Sequence, residues 1–402
     1  MLSKPLDLDE ALNSILQHVR APNTKELASL DRAHHRVTAA PVCAPTDLPP
    51  FRASAMDGYA YLWSANLDSL KLIGVSLAGH PFTDAVDNGQ CVRIMTGAAL
   101  PAATDTVVIQ EDCTVRDNQI IVATPPAEGA NVRSVGHDVK QNQVILHKGK
   151  TITAFDVGTL AGCGIAEVEV FARPRIGVFS TGDELQVPGS ALAYGNIFDS
   201  NRYTVVELLA DLPVEVDNLG VLPDDTAAIS HALLAASARC DVLLTSGGVS
   251  VGDADHVKDT LEAIGTLDFW RLNLKPGKPL AFGEIGDCLF FGLPGNPVST
   301  IVTLLMIAKP AIAQLCGTTP TPPLTFRCEL RDTIIHRAGR EEYQRGVVSN
   351  DHPHPTVNTT GDQSSNRMSS FTHANCLIRI PKDCDDLLRG STVDVLPLYG
   401  LA

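Results

Sequence analysis

The most constraining feature of this sequence is an alternation of apolar runs and helical patterns between residues 176 and 308. The apolar runs are Ile176–Phe179, Val214–Val221 and Val242–Leu244, and helical patterns follow them near 202–210, 226–238 and 257–264. Such alternation predicts a mostly parallel, doubly wound sheet. Because these sheets bind ligands at the carboxyl ends of their strands, we expect the functional site at that edge.

A glycine-rich loop, Thr245–Asp255, directly follows one of these runs and reads TSGGVSVGDAD. A buried strand that leads through such a loop into a helix brings backbone N–H groups up to an anion. Val257, Leu261 and Ile264 share one face of the expected helix, and Asp253 or Asp255 can cap its first turn.

Two further loops have a similar character. Lys275–Pro279 presents two cations on a proline-stiffened turn, and Gly292–Pro297 leads into a helix with Asn296 as N-cap and Pro297 as its first residue. Each loop alone could be an ordinary βα turn, but the three together indicate an oxyanion site. Neither Gly-Lys-Ser/Thr nor Gly-x-Gly-x-x-Gly occurs here, which disfavours a common ATPase or dinucleotide site. Acids at other expected strand ends are Glu184, Asp224 and Asp225.

The charge balance narrows the class of partner. A formal charge of −15 argues against nucleic-acid and membrane-surface binding, which need basic surfaces. An acidic protein that handles an anion must gather its cations locally, which draws attention to Lys275 and Lys278. Neither a secretory pattern nor a run of about 18 apolar residues is found, so we expect a soluble, cytoplasmic protein.

The flanking regions differ from the central alternation. Residues 7–19 predict an amphipathic helix, which we expect to pack with a second helix over 154–161. The run Asp47–Ala60 indicates irregular backbone, and the short β-branched runs over 70–139 indicate strands. The last 80 or so residues alternate in polarity, which is typical of a small β-domain.

Taken together, the motifs resemble the molybdopterin molybdenumtransferase (MoeA) family, to which the gephyrin E domain is related. The matching strings span nearly the whole chain in the family's order: PPF (49–51), SAMDGYA (54–60), IMTGA (94–98), STGDEL (180–185), SGGVSVGDAD (246–255), KPGKP (275–279), GLPGNPVS (292–299) and QRG (344–346). The chain departs from the family at Arg52-Ala53, at His137 and in the serine-rich loop 361–370.

The resemblance implies a four-domain architecture. An elongated domain would combine residues 1–45 and 140–172, and an inserted β-domain would occupy 46–139. The α/β domain would span 173–317, and a β-barrel-like domain 318–402. Members of the family are homodimers whose active sites lie between subunits, so we expect a homodimer.

The resemblance also implies the reaction. The family inserts molybdate into adenylylated molybdopterin with Mg²⁺-dependent hydrolysis, which releases molybdenum cofactor and AMP. The oxyanion would be held by Lys275, Lys278, Arg345, Ser250 and Ser369. The substrate site would be completed by Ser246, Gly247, Gly248, Pro279, Gly295, Asn296 and Ser299. Mg²⁺ binding or positioning of the nucleophile would fall to Glu184, Asp225 and Asp255. Catalytic residues from the partner subunit would be Asp57, Thr96 and Asp138.

Two other functions fit parts of the sequence. A molybdopterin adenylyltransferase would share the α/β domain but would lack the inserted and C-terminal β-domains. A non-catalytic scaffold, as gephyrin also is, would not need Asp255, Lys275 and Lys278 together.

Overall fold

The protein is described from a computed structural model that covers residues 5–20, 22–65, 68–248, 256–350 and 353–399. The chain forms two compact units. The first combines residues 1–26 with 171–402, and the second comprises residues 27–170. The boundaries of the four domains stay a prediction.

The first unit begins with helix α1 (Leu8–His18), whose N-cap residue, Asp7, donates its backbone N–H to the Glu10 carboxylate at 3.1 Å. The buried face of α1 packs against the helical run 304–315, and the Leu16 carbonyl accepts a hydrogen bond from Gln314 Nε2 at 2.9 Å. The helix over 154–162, which was predicted to pack with α1, belongs to the second unit, and its packing with α1 stays a prediction. An apolar stripe predicts that a helix is covered without identifying what covers it.

A six-stranded sheet, in the order β7-β4-β6-β5-β9-β8, forms the core of the second unit. In chain order the elements from residue 25 to 171 are β1 (Lys25–Ser29), α2 (Leu30–Ala33), β2 (Val42–Cys43), β3 (Ala53–Ser54), β4 (Gly58–Tyr61), β5 (Ser69–Ser76), β6 (Gln90–Ile94), β7 (Thr106–Ile109), β8 (Cys113–Arg116), β9 (Gln119–Val122), β10 (Val132–Arg133), β11 (Val144–Leu146), α3 (Ala154–Gly162) and β12 (Glu167–Phe171). A 3-10 turn, Gln110–Asp112, joins β7 to β8.

Strand β4 corrects the prediction of irregular backbone up to Ala60. All four of its residues are buried, and it pairs with both β6 and β7. Gly58 is needed there because a Cβ at this position would lie 2.0 Å from the Val108 carbonyl oxygen. Gly58 therefore allows two strands to approach closely.

The α/β part of the first unit is a sheet in the order β16-β13-β17-β21-β20-β18. Its elements are β13 (Arg175–Thr181), β14 (Leu185–Gln186), β15 (Ile197–Phe198), α4 (Asn201–Leu208), β16 (Glu215–Leu222), α5 (Thr226–Ser237), β17 (Val242–Ser246), α6 (His256–Ile264), β18 (Thr266–Arg271), β19 (Leu274–Lys275), β20 (Pro279–Ile285), β21 (Cys288–Leu293), α7 (Pro297–Thr303), a π-helical turn (Leu304–Ala308) and α8 (Lys309–Leu315). The first four strands of the sheet are parallel, whereas β20 is antiparallel to both of its neighbours, β21 and β18. The predicted mostly parallel sheet is thus confirmed.

The C-terminal part is a small barrel built from β22 (Phe326–Leu330), β23 (Glu341–Ser349), β24 (Thr356–Thr359), β25 (Cys376–Ile380) and β26 (Thr392–Pro397). These strands pair in the ring β23-β24-β22-β26-β25-β23, and buried apolar side chains fill its interior. The short strand β19 is added to β23 from outside the ring, in parallel register. The β-barrel-like domain inferred from sequence is confirmed.

The helical run Pro297–Leu315 is 19 residues long with a mean hydropathy of 1.6, which is long and apolar enough to cross a membrane. Within this protein 67% of that stretch is buried, and α1 packs on it. Its apolar composition is therefore explained by its place in the core of the first unit.

Candidate functional site

The strand register brings the predicted loops of the α/β part to one edge of the sheet. Ser180 is the register partner of Ser246, and Ser246 is that of Leu293, so β13, β17 and β21 end side by side. The antiparallel strand β20 pairs Ala281 with Gly292, which places its start, after Lys278, at the same edge. The described parts of the three loops proposed from sequence therefore begin or end at the same edge of the sheet.

The glycines of two loops face each other across this edge. Gly247 donates its N–H to the Leu293 carbonyl at 3.2 Å, and a Cβ on Gly295 would lie 3.7 Å from the Gly247 Cα. Gly247 and Gly248 have φ values of 94° and 66°, which favour glycine. A Cβ on Gly248 would also lie 2.5 Å from Cγ2 of Val257, in the first turn of α6. Backbone, rather than side chain, forms this part of the site.

Asn201 links the two glycine loops and was not predicted. Its Nδ2 donates to the Ser246 hydroxyl at 2.7 Å and to the Gly295 carbonyl at 2.8 Å. Ser246 is buried, whereas Gly295 is exposed. In the sequence, Asn201 is marked by the polar run Asp199-Ser200-Asn201 at the start of a helix. Such a run is typical of ordinary helix capping and does not indicate a link between two loops.

The predicted acids lie at the ends of β13 and β16. Glu184 is exposed, and its carboxylate folds back over Gly182. Asp225 is the N-cap of α5, where its side chain accepts the Ala228 N–H at 2.7 Å. Their neighbours Asp183 and Asp224 tie the two loops together. The Asp224 carboxylate accepts the Asp183 N–H at 3.3 Å, and the Asp183 carboxylate accepts the Asp224 N–H at 3.1 Å.

A metal would need ligands from more than these loops. Among the described residues, no group of three or more histidine, cysteine or acidic side chains is placed to hold a metal ion. Two of the three predicted ligands, Glu184 and Asp225, are described, and they are oxygen donors of the kind that hard cations prefer. Asp255, the third, lies outside the described residues, as does Ser250.

The two lysines have different surroundings. Lys275 is half-buried and forms an ion pair of 3.0 Å with the buried Glu342 of the barrel. Lys278 is exposed, and Pro279 after it opens β20. Of the two cations, Lys275 is held in place and Lys278 extends towards solvent.

Arg345 is fully buried in the barrel rather than open to an anion. Its Nε donates to the Ser370 hydroxyl at 2.9 Å, and its terminal nitrogens donate to the carbonyls of Asp362, Gln363 and Ser364 at 3.2–3.3 Å. Burial lowers the pKa of Arg345 to about 10. In this structure the side chain anchors the 362–364 loop, and its predicted contact with an oxyanion would require that loop to release it.

The anchored loop reaches the start of helix α7. The Ser365 carbonyl accepts the Val298 N–H at 3.0 Å, so one of the free N–H groups of that helix terminus is already engaged. Asn296 is the N-cap as predicted, and Ser299 is buried in the first turn. Ser369 is exposed beside the Arg345 partner Ser370.

The remaining candidates belong to the second unit. The Asp57 carboxylate accepts the Thr96 N–H at 2.7 Å and the Thr96 hydroxyl at 2.8 Å. These two bonds, the backbone one first, lower the pKa of Asp57. Asp138 is exposed, and its backbone N–H binds the Leu48 carbonyl at 2.9 Å. The structure thus joins Asp57 to Thr96 as a pair.

The sequence matches known families along most of its length. Residues 6–164 match the MoeA N-terminal region (domain I and II), residues 177–314 match a probable molybdopterin binding domain, and residues 327–398 match the MoeA C-terminal region (domain IV).

Full-length relatives agree with these matches. A molybdopterin molybdenumtransferase of Haemophilus influenzae is 40% identical over 98% of this chain and 99% of its own. Gephyrin of Dictyostelium discoideum is 33% identical over 97% of this chain and 62% of its own. A crystal structure of a molybdopterin biosynthesis MoeA protein from Pyrococcus horikoshii OT3 is 28% identical over 98% of this chain and 100% of its own, with a TM-score of 0.85.

Proposed function

This chain belongs to the molybdopterin molybdenumtransferase family, and from that premise we propose that it inserts molybdate into adenylylated molybdopterin and releases molybdenum cofactor and AMP. It is an enzyme of molybdenum cofactor biosynthesis. The observation that carries the proposal is the meeting of two glycine loops and a lysine loop at one sheet edge. Such an edge offers backbone N–H groups and fixed positive charge to an anionic substrate.

The glycine backbone, the lysines and Asp57 would each have a different role in the reaction. The facing backbone of Gly247 and Gly295 would approach the substrate phosphates closely, which side chains there would prevent. Lys275 and Lys278 would bind the tetrahedral molybdate through charge-assisted hydrogen bonds. In the second unit, Asp57 would present an ionised carboxylate, since Thr96 lowers its pKa.

Mg²⁺ is part of the proposal. Glu184, Asp225 and Asp255 would hold it, with substrate phosphate oxygens as further ligands, and it would neutralise charge on the phosphates. Among the described residues Glu184 and Asp225 supply two carboxylates, so the substrate phosphates and Asp255 would have to complete the coordination.

We also propose a cytoplasmic homodimer in which Asp57, Thr96 and Asp138 of one subunit complete the site of the other. The test mixes Asp57→Ala subunits with Lys275→Ala subunits at a molybdate concentration too low for either variant alone to show appreciable activity. Shared sites predict recovered activity, because a heterodimer contains one intact site. An inactive mixture in which heterodimers are shown to form would contradict the proposal.

The reaction itself is tested by measuring AMP release from adenylylated molybdopterin with and without molybdate. We expect release that depends on molybdate, and we expect Lys275→Ala to raise the molybdate requirement roughly ten- to hundredfold, the scale of one charge-assisted contact. A molybdopterin adenylyltransferase would instead consume ATP and unmodified molybdopterin. A scaffold would release no AMP under any condition.

A further inference from the structure

The buried carboxylate of Glu342 binds the side chains of three other residues. Glu342 is 2% exposed and lies on barrel strand β23. Its Oε2 accepts Lys275 Nζ at 3.0 Å and is 2.8 Å from His336 Nδ1, and its Oε1 accepts Gln344 Nε2 at 2.9 Å. A buried carboxylate is stable only when its oxygens are satisfied in this way.

The backbone brings Lys275 to this carboxylate as well. Strand β19 pairs in parallel with β23, and Lys275 is the register partner of Glu342. The Glu341 N–H donates to the Asn273 carbonyl at 2.9 Å, just before β19. The barrel therefore fixes both the main chain and the side chain of a lysine that belongs to the α/β part.

His336 supports Glu342 through one of its two ring nitrogens. An ionised carboxylate can only accept, so Nδ1 of His336 carries the proton that points at Glu342. The other ring nitrogen, Nε2, is buried without a hydrogen-bond partner in the part of the chain that the structure describes. His336 thus acts as a donor that holds Glu342.

We propose that Glu342, held by His336 and Gln344, is a positioning residue that orients Lys275 for the oxyanion. The lysine side chain is a flexible four-carbon stem, and 45% of it is exposed, so without Glu342 it would sample many conformations. One ammonium proton directed at Glu342 leaves two for the anion. The inference rests on the proposed function of Lys275.

The first test measures AMP release against molybdate concentration, with adenylylated molybdopterin saturating. Glu342→Gln removes the charge and keeps the shape, and we expect it to raise the half-saturating molybdate concentration about tenfold, the scale of one lost charge-assisted contact. The maximal rate should change less, because the chemical groups remain. Glu342→Asp keeps the charge and should raise the half-saturating molybdate concentration less than Glu342→Gln does. The control is Glu329→Gln, which removes an exposed barrel carboxylate paired with Arg331.

A double-mutant cycle then separates positioning from a general structural role. If Glu342 acts through Lys275, Glu342→Gln should change the molybdate requirement less than about twofold in a Lys275→Ala background, because contacting residues are non-additive. Effects that multiply in the double variant would overturn the proposal. Should Glu342→Gln fail to fold, His336→Leu takes its place in the same cycle, with a smaller effect in the same direction.

A second readout does not depend on catalysis. An amine-reactive label, quantified at Lys275 by mass spectrometry, should react faster in Glu342→Gln than in the wild type, because the ion pair no longer shields the amine. Unchanged labelling in a folded variant would overturn the proposal. Faster labelling would support the positioning of Lys275 by Glu342. If Lys275→Ala at the same time leaves the molybdate requirement unchanged, the oxyanion role of Lys275 is contradicted and its positioning by Glu342 is not.

Discussion

The link made by Asn201 predicts a large effect from a small change at a position that no motif marks. Asn201→Ala removes two hydrogen bonds, one to the buried Ser246 hydroxyl and one to the exposed Gly295 carbonyl. The glycine loops on either side would then lose their shared tie. We expect lower stability of the first unit and weaker binding of adenylylated molybdopterin.

The size of the effect follows from burial. The Ser246 hydroxyl loses its partner inside the protein, which costs about 2 kcal/mol, whereas the Gly295 carbonyl can turn to water and loses about 0.5–1 kcal/mol. Alanine favours helix over asparagine at the start of α4 by about 0.5 kcal/mol. The free energy of unfolding should therefore fall by about 2 kcal/mol.

The two tryptophans allow the first unit to be observed alone. Trp63 lies in the second unit and Trp270 in β18 of the first, so a Trp63→Phe background leaves one reporter for the unit of interest. Denaturant titration of this fluorescence gives the free energy for the transition of that unit.

Thr204→Ala is the matched control for Asn201→Ala. It lies on the same helix, and among the described residues its hydroxyl binds only the Ser200 carbonyl of its own turn, at 3.0 Å. A difference between the two variants of less than about 0.5 kcal/mol would refute the idea that Asn201 ties the loops together.

Two further predictions concern the glycine loop and the acidic pair. Gly248→Ala should destabilise the first unit by more than Gly286→Ala. The two glycines have similar φ values, 66° and 62°, but only a Cβ at Gly248 would collide, with Val257 at 2.5 Å. Equal free energies of unfolding for the two variants would contradict the packing argument. Thr96→Val should raise the pKa of Asp57, measured from its carboxyl ¹³C shift, part of the way back to the ordinary value. The rise is partial because the Thr96 backbone N–H, which the variant keeps, lowers this pKa more than the hydroxyl does. Either a fully normal pKa or an unchanged pKa in the variant would contradict this.

The sequence was informative where the local backbone conformation is one that few residue types adopt. The glycine loops and the proline at the start of α7 were predictable because few residues adopt those conformations, so the residue type reveals the local geometry. The sheet edge followed from the alternation of elements, and the register confirms that Gly247 and Gly295 meet there.

Side-chain contacts between distant segments were not predictable. Arg345 looked like an anion ligand, yet its guanidinium is used by the carbonyls of a loop some twenty residues away. Asn201 and Glu342 carry no motif, since their roles depend on which strands lie next to each other. The type of a charged or polar residue shows what its side chain can bind, but it does not show which partner the fold brings next to it.

The packing of α1 on residues 304–315 has a consequence for synthesis of the chain. The ribosome makes α1 near the beginning and its partner only after the second unit and most of the sheet have emerged. Until then α1, whose residues Leu8, Ala11 and Ile15 are buried in the finished fold, lacks the helical run on which it packs, and the first unit cannot be completed. Folding of this unit must therefore finish late, while the 27–170 segment, with its own core, can fold as it emerges. A nascent chain stalled before residue 304 should expose its N-terminal helix to chaperones.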